Sequence, residues 1–244
     1  MNLSGVTWRY LDNQLKFHPV LQLLRRVLRP AWFGTLRRTT PLSNIWGFDR
    51  GTPVDRYYIE RFLEEYRSDI QGGVLEVKDT TYTVRYGIGV ERRDVIDIDP
   101  LNPHATFVAD LAAADSIPSN TFDCFILTQT LQLICDTRAA IGHAHRILRP
   151  GGVLLVTVPS ISRIVPGPGL KTDYWRFTEA SCSALFAEAF GAGWITIRSY
   201  GNVLAAIAFL SGIAYQELSR RKLEVHDEYF PVIIGVRAVK GHES

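Results

Sequence analysis

Three acids each stand at or near the end of a short apolar run. Glu76 lies in Val74-Leu75-Glu76-Val77, Asp99 closes Val95-Ile96-Asp97-Ile98-Asp99, and Asp110 follows Ala105-Thr106-Phe107-Val108-Ala109. An ionised carboxylate is a pure acceptor, so such a trio suits a ligand rich in hydroxyl and amino groups. One acid at a strand end is ordinarily solvated or caps a turn; three in succession are a stronger signal. A second cluster, Asp173-Tyr174-Trp175-Arg176-Phe177-Thr178, mixes rings with charge. Rings stack on sugar faces while Asp and Arg bond hydroxyls, which suits a polyhydroxylated acceptor. Equally, Trp175 and Phe177 belong to the core and Arg176 pairs with an acid. His226, followed by Asp227 and Glu228, supplies a group titrating near neutrality.

These residues need a scaffold, and the pattern supplies one. Strand-like runs fall at 94–98, 105–109, 122–127, 152–158, 194–198 and 232–239, after the first at Val74-Leu75-Glu76-Val77. Helical stretches alternate with them. Thr52-Pro53-Val54-Asp55 reads as a helix start capped by Thr52, and Val54, Tyr58, Phe62, Tyr66 and Ile70 recur every four residues toward an end near Gly72. Asp136 and Thr178 read as caps of two later helices, and an apolar helix spans 203–218. Strands alternating with helices define an open α/β sheet, whose ligands collect outside the carboxyl ends of its strands. The link from Asp99 to Ala105 is too short for the usual helical crossover, so that edge of the sheet should be trimmed.

Composition narrows the class. With 46% hydrophobic and 21% charged residues among 244, the chain is an ordinary globular protein with a net charge of only +2. That balance excludes global steering toward nucleic acid. Residues 1–56 hold nine Lys and Arg against three Asp and Glu. The leucines and arginines of residues 15–38 form a basic amphipathic helix, either a cap on the domain or a peripheral membrane contact. Pro41 to Pro53 reads as a linker. The longest apolar run, Val203 to Tyr215, is too short to span a bilayer, and no signal peptide opens the chain. Cys124, Cys135 and Cys182 show no metal-ligand spacing and suit reduced thiols in a cytoplasmic protein. A Rossmann dehydrogenase is excluded, because no Gly-x-Gly-x-x-Gly turn follows Val77.

The order of the strand-end acids, then Phe122-Asp123-Cys124-Phe125-Ile126-Leu127 and Leu148-Arg149-Pro150-Gly151-Gly152 running on to Pro159, resembles the class I S-adenosylmethionine-dependent methyltransferases from roughly Asp55 to Lys240. The resemblance implies a doubly wound, seven-stranded, mostly parallel Rossmann-like sheet with an N-terminal helical cap. It places residues 1–52 as extension and linker and 53–244 as the methyltransferase domain. It implies S-adenosylmethionine as cofactor, held by Glu76, Lys78, Asp99, Asp110, Leu111 and Thr128. Within that set Glu76 serves the ammonium end, Asp99 the ribose and Asp110 the adenine amino group.

It places Arg56, Tyr57, Gln129, Gln132, Tyr174 and Arg176 against the acceptor. Many relatives carry a histidine base where Gln132 stands; glutamine cannot titrate, so elimination leaves His226 or Asp173 to take the acceptor's proton. Similarity to sugar-directed enzymes of mycobacterial methylated polysaccharides implies O-methylation of a small carbohydrate or oligosaccharide, and leaves a homodimer open. One departure stands out: Lys78-Asp79-Thr80-Thr81-Tyr82-Thr83 carries no glycine where such enzymes bring backbone close to cofactor. A non-catalytic relative acting as a binding or scaffolding module is the alternative.

Overall fold

The computed structural model describes Gly34 and residues 37–241, Pro168 excepted. Contacts divide the chain into units of residues 1–40 and 41–244, and nearly all described residues belong to the second. The helix expected over 15–38 lies outside the described residues, apart from Gly34, Arg37 and Arg38, which are in no α-helix.

Seven strands form one sheet in the order β3-β2-β1-β4-β5-β7-β6. They are β1 (Gly72–Val77), β2 (Val90–Asp97), β3 (Phe107–Val108), β4 (Phe122–Thr128), β5 (Leu148–Pro159), β6 (Ile195–Tyr200) and β7 (Ile233–Val239). β7 runs antiparallel to both neighbours, and all other pairs are parallel. The sheet is doubly wound, as the alternation of strands and helices requires. β3 is only two residues long, the trimming expected from the short Asp99–Ala105 link. Order reverses between β1 and β4, which opens a crevice beyond their carboxyl ends.

Each face of the sheet buries its own core. One holds Leu75, Phe125 and Leu154 under helix α3 (Thr137–Ile147) and α4 (Glu179–Phe190). The other holds Val74, Cys124 and Leu155 under α1 (Val54–Glu65), the short α2 (Thr81–Tyr86) and α5 (Val203–Ser211). The inner strands β4 and β5 are buried on both faces, so they read as continuous apolar runs. Asp136 caps α3 by accepting from Ala139 N at 2.9 Å, and Thr178 with Ser181 forms a capping box on α4.

Helix α1 departs from expectation at both ends. Pro53, not Thr52, occupies the cap, and the Thr52 hydroxyl instead accepts from the Gln216 amide at 2.9 Å. The helix stops at Glu65 because Tyr66 leaves helical geometry, and a tighter turn at Arg67–Asp69 carries Asp69 to Arg237. Residues 41–52, expected as a linker, are fastened to the domain. Leu42 N donates to Ser211 O at 2.7 Å, and buried Ser43 accepts from Gly47 N at 2.9 Å. Beneath α1, Gly235 of β7 lets Phe62 lie flat on the sheet; a Cβ there would meet the Phe62 ring at 2.6 Å. Among the described residues, no helix is long and apolar enough to cross a membrane.

Candidate active site

Two neighbouring cavities open at the carboxyl edge of the sheet. The larger, about 760 Å³, is walled by the ends of β1, β2 and β4 and by the residues after β3. The smaller, about 290 Å³, lies between Trp46, Phe48, the first turn of α1, and the segment 159–176. Arg56, Lys78, Gln129 and Leu133 line both, so the two share a wall.

The glycine-poor loop after β1 resolves into α2. Its exposed amides are taken up by Glu76, only 3% exposed, which accepts from Tyr82 N at 2.9 Å and Thr83 N at 2.7 Å. The Thr83 hydroxyl adds a third bond at 2.6 Å. Burial pushes the Glu76 carboxyl above its usual range, and the Thr83 hydroxyl and amide oppose that shift. Glu76 lines the larger cavity as expected and at the same time anchors α2. Through α2 it also places Tyr82, whose hydroxyl accepts from the Arg56 guanidinium at 2.6 Å.

At the end of β2 the lining acid is Asp97, not Asp99. The strand ends at Asp97, and Asp99 turns outward to accept from Leu101 N at 2.9 Å. Asp97 is braced by the Asn102 side-chain amide at 2.6 Å and by Asp99 N at 3.1 Å. Each of its oxygens accepts only one of these bonds, leaving lone pairs for a diol. Asp110 lines the crevice as expected and accepts from Ala112 N at 2.9 Å. Leu111, Ile96, Ala109 and Ile134 supply the apolar wall that a planar base requires, and Thr128 stands at the end of β4.

Lys78 and Gln129, the residues following β1 and β4, both take left-handed backbone, with φ of 75° and 47°. Strained backbone of this kind at two strand ends facing one crevice is a mark of a functional site. Gln132, 7% exposed, donates its amide to Gln129 O at 2.8 Å, and its main-chain oxygen accepts from Tyr174 N at 2.8 Å. Its Oε1, like the Gln129 Nε2, is buried without a partner. Both residues line the smaller cavity, although these two atoms themselves are buried.

The remaining expected residues divide. Tyr174 lines the larger cavity, and Asp173 and Arg176 the smaller. Asp173, its carboxylate 1% exposed, accepts from Arg176 at 2.6 and 3.1 Å and from Val165 N at 3.1 Å. Burial alone would raise its pKa, but Arg176 and the Val165 amide hold it below the ordinary value. Tyr57 packs against Tyr58 and Tyr215 at ring separations of 5.2 and 5.3 Å, outside both cavities. His226 is at the correct edge of the sheet but beyond β7, beside Tyr200 and Gly201 at the end of β6. It cannot reach the crevice, because the chain before β7 is tied there by Asp227 N to Gly201 O at 3.0 Å.

Asp55 is the second acid of the smaller cavity. In the sequence it reads only as an acid in a helix's first turn, yet it lines the smaller cavity and belongs to no ion pair among the described residues. Burial raises its pKa above the usual carboxylate range, with Arg56 opposing. Asp97, Tyr82 and Arg163 also escaped the sequence reading, although the period-two spacing of Asp97 and Asp99 put both acids on one side of the strand.

The fold is that of the class I methyltransferases. Residues 92–156 match the family model described as "Methyltransferase domain". A SAM-dependent methyltransferase of Archaeoglobus fulgidus superposes with a TM-score of 0.50 at 13% identity, covering 76% of this chain and 94% of that one. The N-methyltransferase NodS of Bradyrhizobium japonicum, in complex with S-adenosylhomocysteine, gives 0.50 at 15% identity over 79% and 90%. A phosphoethanolamine N-methyltransferase 2 of Haemonchus contortus gives 0.51 at 14% identity over 76% and 53%. No curated protein matches the chain.

Proposed function

We propose that the larger cavity binds S-adenosylmethionine and that the protein transfers its methyl group to a hydroxyl of a small polar acceptor, a carbohydrate, seated in the smaller one. The observation that carries this reading is the shared wall of Arg56, Lys78, Gln129 and Leu133 between a cofactor-sized and an acceptor-sized cavity. The cavity of about 760 Å³ falls within the range of small-molecule sites. Its donor set also fits the cofactor: Asp97 for the ribose hydroxyls, Asp110 beside Leu111 for the base, and Arg56 with Lys78 for the carboxylate end.

The cofactor supplies a methyl on a sulfonium, already a good leaving group. The chain's own task is alignment. The left-handed backbone at Lys78 and Gln129 fixes the wall between the cavities, and Gln132 helps to shape the acceptor's seat beside it. Asp55 takes the hydroxyl proton as the new bond forms. The free cysteines fit a reducing, cytoplasmic setting, and a homodimer and an oligosaccharide-borne acceptor sugar belong to the same reading.

Calorimetric titration with S-adenosylhomocysteine tests the first half, and transfer of labelled methyl to a panel of sugars tests the second. A binding module without catalysis would take up the cofactor weakly or not at all and label nothing.

A further inference from the structure

Charge in the smaller cavity is unbalanced. Its lining carries Arg56, Lys78, Arg163 and Arg176 against Asp55 and Asp173. Arg176 is committed to Asp173, and Arg56 donates to the Tyr82 hydroxyl. Arg163 and Lys78 enter no ion pair among the described residues. Arg163 is nevertheless held in place: its guanidinium lies over the Trp46 ring at 4.8 Å and donates to Asn44 O. A cation stacked on an aromatic face keeps free N–H groups in a planar fork suited to a carboxylate or a phosphate. Loading the cofactor would engage Arg56 and Lys78 with its carboxylate end but would bring no anion to Arg163, and its sulfonium and ammonium outnumber that carboxylate.

We infer that the smaller cavity selects a hydroxylated ring bearing an anionic group, a carboxylate or a phosphate, which Arg163 holds while the hydroxyl faces Asp55 and Gln132. This rests on the functional reading above and narrows its acceptor. An amine acceptor, protonated near neutral pH, would add a further positive charge beside Lys78 and Arg163 and is disfavoured. A neutral sugar would leave the Arg163 cation without an ionic partner in a site that is partly screened from water. The volume, about 290 Å³, is that of a one-ring site.

The full chain is first titrated with S-adenosylhomocysteine, then, in its presence, with glucuronate, glucose 1-phosphate and glucose. At least one anionic ring should bind about tenfold or more tighter than glucose, with an advantage that shrinks as salt is raised. Which of the two binds tighter distinguishes carboxylate from phosphate. Arg163→Gln, checked for folding by circular dichroism, should lose most of the anion preference, and Arg163→Lys should restore part of it. Equal binding of glucose and both anions, no heat from either anion, or an undiminished preference in Arg163→Gln each overturns the inference. Failure of S-adenosylhomocysteine itself to bind would instead remove the functional reading beneath it; cofactor binding without anion preference removes only this step.

Discussion

Glu76, at the end of β1, accepts both the amide and the hydroxyl of Thr83, at 2.7 and 2.6 Å. A loop that lacks glycines is thereby converted into the helix α2, and the acid that began as a ligand candidate becomes its anchor. Glu76→Ala leaves three buried donors unsatisfied and should destabilise the fold by roughly 3 kcal/mol, at about 1 kcal/mol per bond. Urea unfolding measures it. A loss below about 1 kcal/mol would mean that α2 is held mainly by Tyr82 and Tyr86 in the core.

Asp97 and Asp99 separate cleanly. Asp97→Ala should weaken S-adenosylhomocysteine binding by roughly 1.5–3 kcal/mol, the scale of hydrogen bonds to a charged group. Asp99→Ala should stay within about 0.5 kcal/mol, as an exposed residue outside the crevice does. The reverse ranking in calorimetry would return the ribose site to Asp99.

Asp55→Asn should slow methyl transfer by about 10²–10⁴-fold while leaving cofactor affinity unchanged. Because burial lifts its pKa above 3.8, the rate of the native enzyme should fall on the acid side at a pH above that value. The variant should lack that limb. An intact limb in Asp55→Asn assigns the proton elsewhere.

The ion pair of Asp173 and Arg176 should make stability depend on acidity. Folding lowers the Asp173 pKa from 3.8, so the unfolded chain takes up the proton first. The stabilisation is full near neutral pH and is lost as pH falls through 3.8 toward the lower folded value. Asp173→Asn should therefore cost about 3 kcal/mol near neutrality, the lower end for a buried pair whose guanidinium is partly exposed. The gap from the native protein should close in acid; denaturation curves at both pH values read it.

Lys78 pays for its position with strained backbone, φ 75°. Lys78→Gly should raise stability by up to about 1 kcal/mol by removing the left-handed penalty of a side chain. It should at the same time weaken binding of the cofactor's carboxylate end. Thermal unfolding with and without S-adenosylhomocysteine measures both signs; a variant that gains in both would show that the lysine has no binding role.

The sheet was the most legible part of the chain. The buried runs 122–127 and 152–158, the caps at Asp136 and Thr178, and the shortened edge at β3 follow from local pattern alone, although β5 begins earlier than that, at Leu148. The site was read less well, for identifiable reasons. The spacing of Asp97 and Asp99 reads as one side of one strand, but the strand ends at Asp97 and the Asp99–Leu101 turn takes Asp99 away from the crevice. His226 precedes a strand whose start is at the correct edge, but sequence order does not tell how far along the sheet that start lies. Asp55 reads only as a first-turn acid: the cavity it lines is shared with Trp46, Phe48 and residues of segment 159–176, all remote or irregular in sequence.

The bare Cα of Gly235 gives α1 its seat against the sheet through Phe62. Asp55 stands seven residues before Phe62, roughly 10 Å along the same rigid rod at 1.5 Å per residue. Gly235 lines neither cavity. A methyl group there would act as a shim under a lever, tipping Asp55 and Arg56 out of alignment while every wall residue kept its identity. A search for inactivating substitutions confined to the cavity walls would therefore overlook the spot that sets their alignment.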